Sequence, residues 1–425
     1  MAHGSRHPSG DASDPSARRR THAGLGAGGG AAMIRSRAMS ARVRPMCLAL
    51  ALACVAGCEK EAPAGGSTSQ AQPAVVIAQV RTDRLAFDPA KSESVSIRFN
   101  LSETADVTLS IHDGRDHRVF QRHAKALAAG DRALSWNGLD ERGTPVPAEA
   151  YSYTLTARTA KGSSTHDLTD LTGGQRIEAR DVRWDPAAGT IGYYLDKPAR
   201  VNLRMGLEDG PYLRTVVDWV PRQAGAHAER WDGRDASGVL DLAGNPALKP
   251  VVAAYTLPDN VLFVGGPPQA IRFVAEQGNP ATRERRAIVR KQIGNSAQQP
   301  LDTRGDVRAR LVPIGDYARD DQGRWIVSGA VPFRVDVADS DRERVVQRRF
   351  EAVYYVDGVF TYENELGYLP MTWTWDTSAF NPGEHFVTLN IRGYEGNFGA
   401  ATVKVLVMPG KPGRTQQTGT PVEGK

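Results

Sequence analysis

The sequence predicts an all-β chain, a tandem of antiparallel β-sandwiches behind an unstructured leader and tether. Three observations carry this. Short runs alternate apolar and polar residues with period two, as strands covering one core do. Turn residues punctuate those runs at short intervals. A set of ordered motifs then recurs downstream at one spacing, as a duplicated unit does.

The first 32 residues are rich in Gly, Ser, Ala and Arg and show no apolar periodicity. They read as disordered, or as lying upstream of a better start at Met33 or Met39. Residues 46–56 form an apolar run preceded by Arg35, Arg37, Arg42 and Arg44. Such a run fits the core of an export signal and is too short for a membrane span of ~20 residues. It closes on Val55-Ala-Gly-Cys58. This element resembles a bacterial lipobox: an aliphatic residue, two small ones and a cysteine. The resemblance implies cleavage between Gly57 and Cys58 and a diacylglycerol on the Cys58 thiol, since a thiolate is nucleophilic enough for that alkylation. Two or three acyl chains hold a protein stably on a bilayer where one does not. Glu59 follows the cysteine, and by resemblance to Gram-negative lipoproteins this favours the outer membrane.

Composition narrows the function. Residues 1–57 hold eight of the 53 basic residues and two of the 48 acidic ones, so residues 58–425 carry 45 against 46, a net charge of −1. That balance gives no footing for nucleic-acid binding. All three cysteines, Cys47, Cys54 and Cys58, lie in or at the end of the leader. The exported part must be stabilised by core burial alone, without a disulfide. Residues 58–74 are polar, with Gly, Ser, Pro and Gln, and read as a flexible tether.

The first sandwich spans 75–165. Val95, Ile97, Phe99 and Leu101 share one face, as do Val107, Leu109 and Ile111. Asp113-Gly114 is a turn. Trp136-Asn-Gly-Leu-Asp-Glu-Arg-Gly143 is a hairpin, and Tyr151-Ser-Tyr-Thr-Leu-Thr156 is a further strand. The second sandwich, 175–262, echoes this order. Trp184-Asp-Pro186 answers Phe87-Asp-Pro89, and Tyr255-Thr-Leu257 answers Tyr153-Thr-Leu155. Leu195 answers Leu101 and Trp231 answers Trp136, 94 and 95 positions on. Trp136, Trp184 and Trp231 are therefore core residues. These motifs resemble the Ig-like domain of the flagellar hook-capping protein (FlgD-type), over about 85–160 and 180–260. Repeat two carries the full Trp-Asp-Gly-x-Asp-x-x-Gly pattern; repeat one departs from it at Asn137 and has Leu139 where repeat two has Arg234. The resemblance implies an Ig-like fold and an accessory or assembly role, and no catalysis.

Residues 263–324 read as an irregular connector with a basic run over 283–291; it is a candidate to supply the next domain's first strand. The third sandwich spans 325–408. Residues 332–337 are a strand, and 351–362 a hairpin turning at Asp357-Gly358, a pair that favours a type I′ turn. Its later turns resemble those of bacterial Ig-like domains attached to secreted enzymes and adhesins. Residues 409–425 are a polar tail expected to be disordered.

No Gly-x-Ser-x-Gly, His-Glu-x-x-His, P-loop or Gly-x-Gly-x-x-Gly element occurs. Ser163, Ser164, His166 and Asp167 have triad residue types, but adjacency in sequence is not triad geometry. Asp232, Asp235 and Ser237 suit a tight turn, or a calcium loop lacking its distal glutamate. His112, His117 and His123 suit polar loops better than zinc. No enzyme, cofactor or metal is expected. The aromatic set Tyr354, Tyr355, Tyr362, Trp373 and Trp375 is compatible with a sandwich core and with a binding face. Tyr354 and Tyr355 are consecutive, so one should face away from the core. The expectation is a lipid-anchored envelope protein that meets a protein partner through its third domain. Glycan binding, an adhesin-like role, or an accessory role to an envelope enzyme are the alternatives.

Overall fold

The computed structural model describes residues 75–265, 304–394 and 396–409. The leader, Cys58, the tether, most of the connector and the tail lie outside the described residues. The rest builds three β-sandwiches.

In repeat one, β1 (Ile77–Thr82), β3 (Val95–Leu101) and β6 (Gly130–Trp136) form one sheet. The other holds β2 (Ala86–Phe87), β4 (Ala105–His112), β5 (Arg118–Leu127), β7 (Ala150–Thr159) and β8 (Gly162–His166). The alternating residues of β3 and β4 meet between the sheets as expected, all but fully buried. Repeat two has the same order. β10 (Arg180–Asp185), β11 (Thr190–Leu195) and β14 (Gly225–Arg230) copy β1, β3 and β6. β13 (Tyr212–Arg222), β12 (Ala199–Leu207) and β15 (Leu248–Thr256) copy β5, β4 and β7, and β9 (Arg176–Ile177) extends that sheet. The copying reaches single bonds. Trp136 Nε1 donates to the Leu139 carbonyl at 2.8 Å, and Trp231 Nε1 to that of Arg234 at 3.0 Å. Phe87 packs edge-on against Trp136 at 5.5 Å, as Trp184 does against Trp231 at 5.0 Å. Trp136 and Trp231 are buried; Trp184 is half-buried at the rim.

Repeat two does not end as the duplication suggests. After β15 the chain leaves it, and β16 (Val261–Val264) enters the sheet of repeat one, antiparallel to β7 and parallel to β2. Leu262 and Val264 join the first core. Val261 and Phe263, on the opposite face, pack with Ala150 and Leu257. Four consecutive apolar residues have no face to give to solvent, and such a strand must be covered on both sides. The seam between the repeats supplies that cover.

A buried ion cluster ties all three domains at this seam. Glu149, beside β7, is held at 2.8 Å by Arg200 of β12 and at 2.8 Å by Arg304. The Glu149 and Arg200 side chains are each 3% exposed. The four residues 304–307 then fasten different domains in turn. Arg304 reaches Glu149 of repeat one. The Gly305 amide donates to Asp218 of repeat two at 2.5 Å. Asp306 bonds Thr215, also in repeat two. The Val307 amide donates to the Phe398 carbonyl of the third sandwich at 2.6 Å.

The third sandwich stacks β17 (Ala309–Pro313), β19 (Ala330–Val337) and β22 (Met371–Asp376) on a second sheet. That sheet runs β18 (Trp325–Val327), β24 (Phe398–Val407), β23 (Gly383–Gly393), β20 (Phe350–Val356), β21 (Val359–Asn364). β17 lies within the expected connector, so the domain starts before residue 325. Asp357 and Gly358 both take positive φ, 52° and 83°, as the expected type I′ turn requires. A helix, α1 (Asp339–Gln347), was not expected; only Asp341 and Val345 of it are buried, too few for an amphipathic pattern. Residues 319–324 also repeat a known turn. Gly323 N donates to Asp320 O at 3.0 Å, as Gly143 does to Asp140 and Gly238 to Asp235.

Two outcomes follow for stability. Leu262→Ala should destabilise repeat one by ~2–5 kcal/mol, read by chemical unfolding, although the residue lies past repeat two. Burial works against the Glu149 charge, but Arg200 and Arg304 outweigh it and hold its pKa below 4.5. Its contribution is therefore present above that value and lost as pH falls through the depressed folded-state value. Glu149→Gln, which leaves Arg200 buried without its counter-charge, should cost ~3–5 kcal/mol at neutral pH.

Candidate protein-interaction surface

Of the five aromatics singled out above, the structure leaves only Tyr362 exposed, at 45%. The expected face made of Tyr354, Tyr355, Trp373 and Trp375 is corrected: all four are buried. Tyr354 stacks on Trp373 at 4.4 Å, and Trp373 on Phe333 at 6.0 Å, inside the core. Trp375 meets Phe380 edge-on at 4.9 Å. Tyr355 does point away from the core, as the pleat dictates, yet it is only 4% exposed. The reason is that repeat two docks near this outer face. The Asn390 side chain accepts from the Tyr212 amide at 2.9 Å and donates to the Tyr212 carbonyl at 2.7 Å. Arg392 donates to the Tyr355 hydroxyl at 2.9 Å and lies over the Tyr212 ring. Gly358 sits so close to Leu207 that an added Cβ would lie 2.7 Å from its Cδ1. The polar residues Thr388, Asn390 and Thr402 are buried on this outer face.

What remains exposed is an edge. β21 ends its sheet, and Val359, Phe360, Thr361, Tyr362 and Glu363 are all exposed. Tyr362 pairs with Tyr354 and Phe360 with Tyr355, leaving Thr361 as an extra residue. That bulge sets the two aromatics on opposite faces. Phe360 is 52% exposed; Tyr368 and Tyr394 are exposed as well. Edge strands are normally blunted by proline, lysine, inward charge or a bulge. This one carries a single charge, Glu363, and no proline. Its backbone groups can pair with an added strand, with side-chain pockets on either face.

A buried histidine fixes the hairpin that carries this edge. His385 Nδ1 lies 2.6 Å from an Asp357 carboxylate oxygen, and Nε2 2.7 Å from the Asn381 carbonyl. Both partners are acceptors, so only the imidazolium satisfies both. Burial opposes that charge, but the two hydrogen bonds and the carboxylate outweigh it and hold the pKa above 6.5.

The other constellations have local partners. Asp235 accepts from the Val239 and Leu240 amides, both at 2.7 Å, and from Ser237, so it closes its own turn. His117 contacts Asp113 at 3.2 Å, and His123 contacts Thr108 at 2.9 Å. His166 stacks on Tyr153, and Asp167 accepts from the Thr169 amide. Cys58 and Gly57 lie outside the described residues. No helix among the described residues is long and apolar enough to cross a membrane.

Residues 84–161 match the family model of the FlgD Ig-like domain. No curated protein matches the chain. Among solved structures, FlgD from P. aeruginosa is similar at 18% identity, over 22% of this chain and 69% of that one, with a TM-score of 0.18. The endo-beta-1,4-mannanase from Thermotoga petrophila is similar at 17% identity, over 29% and 24%, TM-score 0.18. The Clostridium thermocellum CbhA fibronectin(III)-like modules are similar at 9% identity, over 78% and 93%, TM-score 0.17. Likenesses at these scores carry no functional argument.

Stability linked to His385 should be present below its unfolded pKa and lost as pH rises through the higher folded-state value. Imidazole titration by NMR should give a value above 6.5, and amide protection over the β20–β21 hairpin, corrected for the intrinsic pH dependence of exchange, should fall on the alkaline side of it. A His385 that titrates below 6.5 would contradict the assignment.

Proposed function

We propose that the chain is a lipid-anchored protein of the cell envelope that acts without catalysis as an assembly or protein-interaction module. The anchor is an acylated Cys58, following cleavage after Gly57, and the favoured location is the outer membrane. The tether carries the Ig-like sandwiches away from the bilayer. The partner contact is the β21 edge of the third sandwich, where a partner strand extends the sheet. The observation that carries this reading is the exposed edge itself, which shows Tyr362 on one face and Phe360 on the other and lacks lysine and proline. Glycan binding is the second reading, favoured by the exposed rings of Tyr362, Tyr368 and Tyr394.

Two experiments test it. Cys58→Ala should abolish incorporation of labelled fatty acid and release the protein from membranes; unchanged acylation would refute the anchor. Val359→Lys places an edge-blocking charge on an exposed strand, where surface changes shift stability within about ±0.5 kcal/mol; Thr361→Pro also removes an edge amide, and its melting is measured alongside. Each should abolish capture of the partner from solubilised envelopes. Undiminished capture by both would move the contact elsewhere, and retention on a glycan column would favour the second reading.

A further inference from the structure

A cleft of about 660 Å³ opens between repeat two and the third sandwich. Its floor is a place where two strand edges part. At one end the Val307 amide is pinned to the Phe398 carbonyl. At the other, β18 pairs in parallel with residues 405–407 of β24. Between these pins β17 and β24 run as neighbours without a ladder, and β17 is the edge of its own sheet.

The directions of their backbone groups follow from bonds at the strand ends. The Arg308 carbonyl accepts from Ala338, and the Ile314 amide donates to Pro332. The even-numbered residues of β17 therefore face β19, and the alternation of an antiparallel pair turns the backbone groups of Ala309 and Leu311 the other way. On β24, the Phe398 carbonyl and the Thr402 amide leave their sheet to meet Val307 and the Ser237 hydroxyl. Ala400 lies between them and shares their direction. Small side chains at Ala236, Ala309, Ala400 and Ala401 keep the floor open.

The walls are cationic. Arg214 comes from repeat two, and Arg308, Arg310 and Arg319 from the third sandwich. Arg319 lies over the Trp325 ring at 3.8 Å, and Arg308 is engaged by Asp341 at 3.1 Å. Asp306 is the single carboxylate among the lining residues. Since Arg308 is paired to Asp341, it is Arg214, Arg310 and Arg319 that stand against one lining carboxylate, a local excess that favours an anionic occupant in a chain that carries −1 beyond its leader. The volume lies within the ~300–1,000 Å³ range of built ligand sites.

We propose that this cleft binds an extended acidic peptide segment of a partner protein, its backbone pairing along the open edge of β17 and its carboxylates meeting Arg214, Arg310 and Arg319. An open strand edge offers alternating amide and carbonyl groups, which a peptide backbone matches and a polysaccharide does not. Guanidinium forks take carboxylates in bidentate geometry. The site is separate from β21 and does not depend on the role proposed for that edge.

The test is fluorescence anisotropy with the mature chain in detergent and a labelled peptide of alternating Glu and Val. A Lys-Val peptide and a polyuronate serve as comparators. The Glu-Val peptide should bind, with affinity falling about tenfold from low to physiological salt. Arg310→Glu and Arg214→Glu should each weaken it by about tenfold or more, with melting unchanged. Arg310→Gln, the milder change, should weaken it less, and Val359→Lys should not affect it. Equal binding of the Lys-Val peptide, or undiminished binding by both charge-reversal variants, would overturn the proposal. Tighter binding of the polyuronate than of the peptide would overturn the class of ligand.

Discussion

Glu149 is the constraint on which the arrangement of the three sandwiches depends. Its carboxylate is almost fully removed from water, and taking an ion out of water costs several kcal/mol. Repeat one provides no cation to offset this in the bonds described; the offset comes from Arg200 of repeat two and Arg304 of the strap leading into the third sandwich. Each domain therefore completes the electrostatics of another. The crossing of β16 adds the apolar counterpart, because repeat one closes its core with Leu262 and Val264, which follow repeat two in the chain. Adjacent domains in one chain move relative to each other unless their interface is large and well packed. Here a shared strand, a buried charge cluster and a four-residue strap all act against such motion.

This coupling decides which surfaces are left. The outer face of the β20–β23–β24 sheet would be the natural binding face of an isolated sandwich. Repeat two docks against it through Tyr212, Leu207 and the Asn390 side chain. Asn390 bonds Tyr212 there, the Thr402 amide donates to the Ser237 hydroxyl, and Thr388 is buried beside them with its hydroxyl on that of Thr402. What remains is a strand edge at β21 and an opening where β17 and β24 diverge. Both offer backbone groups rather than flat side-chain surface, and both belong to the domain farthest along the chain from Cys58. His385 couples the first to the sheet by clamping the hairpin turn at Asp357.

The legible part of the fold was local. Period-two alternation marked β3 and β4, Asp357-Gly358 gave its turn type, and the Trp136 and Trp231 hairpins showed the duplication. Long-range choices were not legible. Val261-Leu-Phe-Val264 reads as a strand buried on both sides, but nothing in it says which sheet it joins. Tyr354 and Tyr355 lie on opposite faces, as the alternation requires, but the outer face is covered by repeat two and not by solvent. A strand covered by a second domain has the same sequence texture as one displaying an aromatic binding face. The 319–324 turn was hidden because its hairpin lacks the preceding tryptophan that flags the other two.

On this account the three sandwiches form one body rather than a jointed chain. The most direct measurement is a distance distribution between spin labels at Ser163 in repeat one and Ser378 in the third sandwich, both exposed, in a soluble form starting at residue 59. A single narrow distance at neutral pH is the predicted result. A broad distribution, as independent domains on flexible joints would give, would contradict the account.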